Sequence, residues 1–224
     1  MPACTAAGVW VSIVPDLLTA PTAELAIGLA IGAARHLRAG DALVRGGAFE
    51  GWRPRLYGRG LQDAVVAVVG LGRVGAAIVQ RLAGFGCART VGVDPAVQLP
   101  GVPTVSLAEA LAEADFMFVA APLVPGSRHA IDAAALSGAK RQPVLVNVGR
   151  GSVVDEEAVA DALRDAPSAP MPQTSSPSRT GASPTDHATC RSAFAITPLR
   201  CSRLIWAPPC TGCGWRSSTA PRTT

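Results

Sequence analysis

Aromatic side chains are scarce, 4% of the 224 residues, and no apolar run is long enough to cross a membrane. The first helix-like apolar run, Leu25 to Ala34, is about half of the roughly 20 residues a bilayer requires. No basic segment precedes an apolar one at Met1. These absences exclude a membrane span and predict a soluble, intracellular protein. The net charge of +4 suggests a nucleic-acid partner, but the stretch beyond Asp165 holds six Arg against one acid, Asp186, which leaves the part up to Asp165 at −1. Nothing there interleaves basic residues with stacking aromatics, so no nucleic-acid platform is expected. Cysteine is sparse as well: Cys4 and Cys87 stand alone ahead of Asp165, which implies no disulfide framework and a cytoplasmic location. Beyond Asp165 there is no valine, and nearly half of the positions are Pro, Ser or Thr. Ordering each residue costs about 1–2 kcal/mol of backbone entropy, and so little apolar surface cannot offset that; this tail reads as disordered or irregular. Its Cys210-Thr211-Gly212-Cys213, with Cys201, has zinc-like spacing, but a fourth ligand would have to come from His187 or Cys190 across irregular intervals, so no metal is expected.

The chain up to Asp165 is built differently. Short Val-rich runs, VVAVVG (Val65 to Gly70), TVGVD (Thr90 to Asp94), FMFVAAP (Phe116 to Pro122) and PVLVNVG (Pro143 to Gly149), end on Gly, Pro or Asp. Continuous runs of this kind fit strands buried on both faces. Between them lie helical patterns, Val74 to Gly84 and Leu107 to Asp115. Strand and helix in repeated alternation predict an α/β fold, a doubly wound parallel sheet, incomplete in this chain. Ahead of it, Pro21 to Arg38 predicts a helix with Pro at its first position, Glu24 in its first turn and Arg35, His36 and Arg38 near its end, apolar nearly all round and in need of a partner surface.

The sharpest motif is Gly70-Leu71-Gly72-Arg73-Val74-Gly75, between a strand and a helix. That context gives the spacing a mechanism: Gly70 for the tight turn, Gly72 for close approach of backbone N–H groups to a pyrophosphate, and Gly75 for close helix packing. Asp94 ends the next strand, where a carboxylate accepts from ribose hydroxyls and repels a 2′-phosphate, so NAD is the expected cofactor. A second constellation, Asn147-Val148-Gly149-Arg150-Gly151-Ser152-Val153-Val154-Asp155-Glu156, sets a glycine-flanked arginine at a strand end. Arg150 there suits a carboxylate or a phosphorus oxyanion; a surface ion pair with Asp155 or Glu156 is the alternative.

GLGRVG with Asp94, then ADFMFVAAPLVPGSRHAI (Ala114 to Ile131), then VNVGRGSVVDEEAVADAL (Val146 to Leu163), together resemble the NAD-binding domain of the D-isomer-specific 2-hydroxyacid dehydrogenase family. The resemblance runs from about Gly8 to Arg164, and its opening to Leu61 looks most like the phosphonate (phosphite) dehydrogenase branch. Leu61-Gln62-Asp63-Ala64 departs from the G-x-x-L-x-G-K-T approach of generic members. The resemblance implies that Gly70, Gly72, Arg73, Val74 and Gly75 hold the pyrophosphate and Asp94 the ribose. Pro122, Val148 and Gly149 would line the cofactor, and Arg150 would grip a small anionic substrate, phosphite or a 2-hydroxy acid. Leu18, Trp52 and Tyr57 match positions near the substrate pocket. It further implies a homodimer, with residues 1–60 as a remnant of the substrate domain plus an interdomain helix, 61–165 as the dinucleotide-binding domain and 166–224 as the tail.

The family also expects a longer substrate domain with a substrate-contacting lysine ahead of this start, and a Glu and a Pro-His pair after the arginine motif. His36, His129 and His187 fit no such role, so a chain without turnover is expected. The tail suggests why. Read in the frame that joins each third base to the next two, Met171-Pro172 gives Ala, Gln173 to Ser176 can give Asp-Val-Phe, and Cys201 to Pro208 can give FTPHLGS, which contains the missing histidine. A change of reading frame near Arg164 to Pro167 is the expectation.

Overall fold

The computed structural model describes residues 2–12, 16–47, 49, 51 and 56–165. Trp52 and the whole tail, with its cysteines and His187, lie outside the described residues. In chain order the elements are α1 (Pro2–Ala6), α2 (Thr19–Ala34), α3 (Leu37–Arg45), β1 (Val65–Val69), α4 (Arg73–Leu82), β2 (Arg89–Val93), α5 (Leu107–Glu113), β3 (Phe116–Val119), α6 (Ala133–Ser137), β4 (Val144–Asn147) and α7 (Glu156–Asp165). All four strands are parallel, in the order β2-β1-β3-β4, with Val66 facing Thr90 on one side and Phe116 on the other, and Phe116 facing Val144. This is the doubly wound α/β sheet that the Val-rich runs predict.

Alternation along each strand divides the core into two layers. Val66, Val68, Phe116, Phe118, Val144 and Val146 face α2 and α4, while Ala67, Val69, Met117, Val119 and Leu145 face α5, α6 and α7. Because both faces are covered, the central strands β1 and β3 carry hydrophobic side chains at every position. Three helices begin where side chains cap them: Ser106 and Glu109 form a reciprocal capping box on α5, Asp132 accepts from Ala135 N–H on α6, and Asp155 accepts from Glu157 and Ala158 N–H on α7.

Helix α2 corrects the sequence expectation at both ends. It starts at Thr19, so Pro21 is its third residue, where an absent N–H still costs nothing, and Glu24 falls in the second turn. It stops at Ala34 because His36 adopts the left-handed conformation, φ 54°, and Arg38 belongs to α3. The expected dipole pairing at the two ends is therefore not made. Ala23, Ala26 and Ala30 are fully buried, and their small size lets α2 lie close on α4 and β4. Its apolar outer face stays open: Leu25 is exposed, as are Leu37 and Val44 on α3. Among the described residues no helix is long and apolar enough to cross a membrane.

Candidate cofactor crevice

The carboxyl ends of β1 and β3 lie side by side although the chain visits β2 between them, so their loops diverge and leave a crevice. Each glycine of the first loop has a distinct geometry there. Gly70 has φ +87°, and a Cβ on it would meet the Ala121 backbone at 2.7 Å. A Cβ on Gly75 would stand 1.9 Å from Gly70 O, so only glycine lets α4 start this close to the strand. At Gly72 nothing lies within 4 Å of the Cβ position. That open face sits at the N-terminus of α4, which has no side-chain cap and so offers its first N–H groups and its dipole to an anion. The cradle fits a pyrophosphate.

Asp94 follows β2 directly. Its Oδ2 accepts from Leu71 N–H at 2.8 Å, and its Oδ1 accepts from Ala96 and Val97 N–H at 2.9 and 2.8 Å, so the carboxylate ties the glycine loop to the turn after β2. Partial burial pushes its pKa up, but the three backbone donors outweigh this and hold it below the usual carboxylate range. Of a carboxylate's roughly four lone-pair directions, one on Oδ2 remains for a ribose hydroxyl.

Comparisons with known proteins agree with this geometry. Residues 27–169 match the profile described as "D-isomer specific 2-hydroxyacid dehydrogenase, NAD binding domain". The chain is 34% identical over 173 residues to glyoxylate reductase of Pyrococcus horikoshii, covering 72% of this chain and 51% of the relative. It is 40% identical over 167 residues to D-3-phosphoglycerate dehydrogenase of Mycobacterium bovis, covering 72% and 31%. The crystal structure of TT0316 protein from Thermus thermophilus superposes with a TM-score of 0.70 at 35% identity, covering 73% of this chain and 52% of that one. The chain belongs to the D-isomer specific 2-hydroxyacid dehydrogenases. It spans about half the length of the glyoxylate reductases it matches, and the part it carries is the NAD-binding domain.

The rest of this NAD-binding domain's crevice comes from β3 and β4. Val148 is buried and donates to Val119 O at 2.9 Å; Gly149 donates to the same oxygen at 3.0 Å, and a Cβ on it would meet Ala121 O at 2.6 Å. The β3 and β4 loops thus run in contact. Pro122 is exposed on the β3 loop, and its carbonyl accepts from Ser127 Oγ at 2.7 Å. Arg73, the first residue of α4, faces Asp16 at 3.3 Å across the start of α2, and Val74 packs half-buried against the core. Leu18 caps the crevice end of α2 and is 68% exposed.

Tyr57 is not brought to this crevice within one chain. Its carbonyl is 3.1 Å from His36 Nε2, beyond the far end of α2. Neighbouring Arg59 donates its N–H to Ala34 O, and its guanidinium lies 5.6 Å over the ring of Phe116 at the opening of β3. That is the opposite end of the strands, about 24 Å away along a 16-residue helix.

Arg150 projects from the β4 loop and is exposed. Among the described residues its guanidinium makes neither a hydrogen bond nor an ion pair, so the alternative pairing with Asp155 or Glu156 is not formed. Sequence reasoning gave no role to Asn147, whose side chain is 4% exposed at the end of β4. Its Nδ2 donates to Arg150 O at 3.1 Å and its Oδ1 accepts from Gly149 N–H at 2.9 Å, which fixes the backbone from which Arg150 extends. A buried amide at a strand end needs both halves satisfied; that requirement is the signal that could have marked it.

Proposed function

We propose that this chain binds NAD across the carboxyl ends of β1 and β3 and presents Arg150 to the anionic group of a small substrate. The observation that carries this reading is Arg150 itself, unpaired among the described residues, on a loop clamped by Asn147 and in contact with the loop that adjoins the glycine cradle. Gly72 and the α4 N-terminus would hold the pyrophosphate, Asp94 the ribose, and Pro122, Val148 and Gly149 the remaining wall. Bound NAD supplies a hydride acceptor; the protein's own part is to orient the anion. The names of the relatives favour a 2-hydroxy or 2-oxo carboxylate as that anion. Phosphite is the second reading, favoured by the resemblance of Gly8 to Leu61.

The reading is tested by titrating the purified chain with NAD and then, with NAD present, with glyoxylate and with phosphite, for wild type and Arg150→Ala. NAD should bind both proteins and the anion only the wild type. Equal anion binding by the variant refutes the assignment, and the anion that binds more tightly selects between the two readings. No absorbance rise at the nicotinamide band is expected with phosphite, because none of His36, His129 and His187 matches the Pro-His pair that the family carries after the arginine motif. The open apolar groups on α2 and α3 support a homodimer, which sedimentation would detect.

A further inference from the structure

Asp155 stands shortly beyond Arg150, on the segment that joins β4 to α7, and it is the natural internal rival for that guanidinium. One of its oxygens is engaged by backbone donors, and the other faces a histidine. Oδ1 accepts from Glu157 and Ala158 N–H at 3.1 and 3.2 Å, and Oδ2 lies 3.6 Å from His129 Nδ1, an ion pair when the ring is protonated. His129 reaches this position through an unusual backbone. It is left-handed, φ 51°, and its N–H donates to Ser152 O at 2.8 Å. Two further rungs follow: Ile131 N–H to Val153 O at 3.3 Å and Asp155 N–H to Ile131 O at 2.9 Å. The end of the β3 loop is thereby stitched to residues 152–155, and the stitch delivers the imidazole to the carboxylate. Glu156, the other nearby acid, lies against Gly151 and makes no ion pair with Arg150.

We propose that His129 is a positioning residue that holds the Asp155 carboxylate away from Arg150 and so keeps the guanidinium available to an external anion. This rests on the proposed role of Arg150. An exposed ion pair within the chain is worth a few-fold in an equilibrium, so losing the restraint should cost about two- to fivefold in anion affinity.

The test compares wild type, His129→Asn, and His129→Asn combined with Asp155→Ser. Asn tolerates the left-handed backbone, and Ser still caps α7 but removes the carboxylate. In the ligand-free chain, the Arg150 Nε–H resonance should shift and exchange more slowly in His129→Asn, and return to its wild-type behaviour in the double variant. An unchanged resonance in His129→Asn, or a double variant that stays shifted, overturns the proposal whatever the ligand data show. With NAD present, binding of glyoxylate and phosphite should weaken two- to fivefold in His129→Asn and recover in the double variant, with NAD affinity unchanged throughout. Equal weakening in both variants assigns His129 to packing alone and overturns the proposal. Anion binding that survives Arg150→Ala refutes the underlying reading of Arg150 instead.

Discussion

Gly72 and Gly75 belong to one short motif, and the structure assigns them opposite kinds of sensitivity. Alanine at position 75 places its Cβ 1.9 Å from Gly70 O and 2.9 Å from Gly70 C, well inside ordinary contact, with backbone that cannot swing away. The turn or the helix must shift, an overpacking cost of about 1–3 kcal/mol or more. At roughly 2–4 °C per kcal/mol this lowers the melting temperature by about 2–12 °C. Alanine at position 72 meets nothing within 4 Å, and φ −63°, ψ −167° is extended backbone that any residue adopts. Its stability cost should stay under about 1 kcal/mol, the difference between glycine and alanine at an N-cap. Its methyl group, however, occupies the face open to a pyrophosphate, and NAD affinity should fall at least about tenfold. Melting with and without NAD reads both effects. A cofactor concentration of about 100 times the wild-type Kd stabilises by about 2.7 kcal/mol, and a tenfold weaker site leaves about 1.4 kcal/mol, so the NAD-induced shift should halve in Gly72→Ala from a nearly unchanged baseline. A full NAD shift in Gly72→Ala, or a normal baseline in Gly75→Ala, refutes the assignment of roles.

Asn147→Ala removes two hydrogen bonds but leaves Arg150 O its bond from Val153 N–H and Gly149 N–H its bond to Val119 O, so the loss should be a net value of about 1–3 kcal/mol by urea unfolding; a loss much above this shows that the loop has no other support. Asp94 has a folded pKa below its usual value, so its three bonds contribute stability that is present above the unfolded pKa, about 4, and is lost as pH falls through the folded value. The stability gap between wild type and Asp94→Ala should therefore be widest near neutrality and narrow as pH falls below the unfolded pKa, and a gap constant with pH contradicts this account. Reading the gene across the codons for Ala162 to Met171 should find one base gained or lost; an unbroken frame refutes an out-of-frame tail.

The strands were legible because burial on both faces leaves no polar position to interrupt Val65–Val69 or Phe116–Val119, and the turn residues after them end each run. Helix ends were less so: the stop of α2 depends on the left-handed backbone of His36, which the residue itself does not announce. The glycine cradle was legible for the same reason as the strands, since its requirement is the absence of an atom, and spacing alone expresses it. What Arg150 touches was not. Asp155 and Glu156 are near it in sequence, and an ion pair was an open alternative until the geometry showed Asp155 committed to α7 and to His129, which comes from another, earlier loop. Short-range partners such as Ser106 and Glu109 can be read from a spacing, whereas a contact made by two loops meeting above a sheet depends on the strand order β1-β3-β4 that brings them together. The crevice is therefore predictable from its glycines, while the availability of its arginine is a property of tertiary structure.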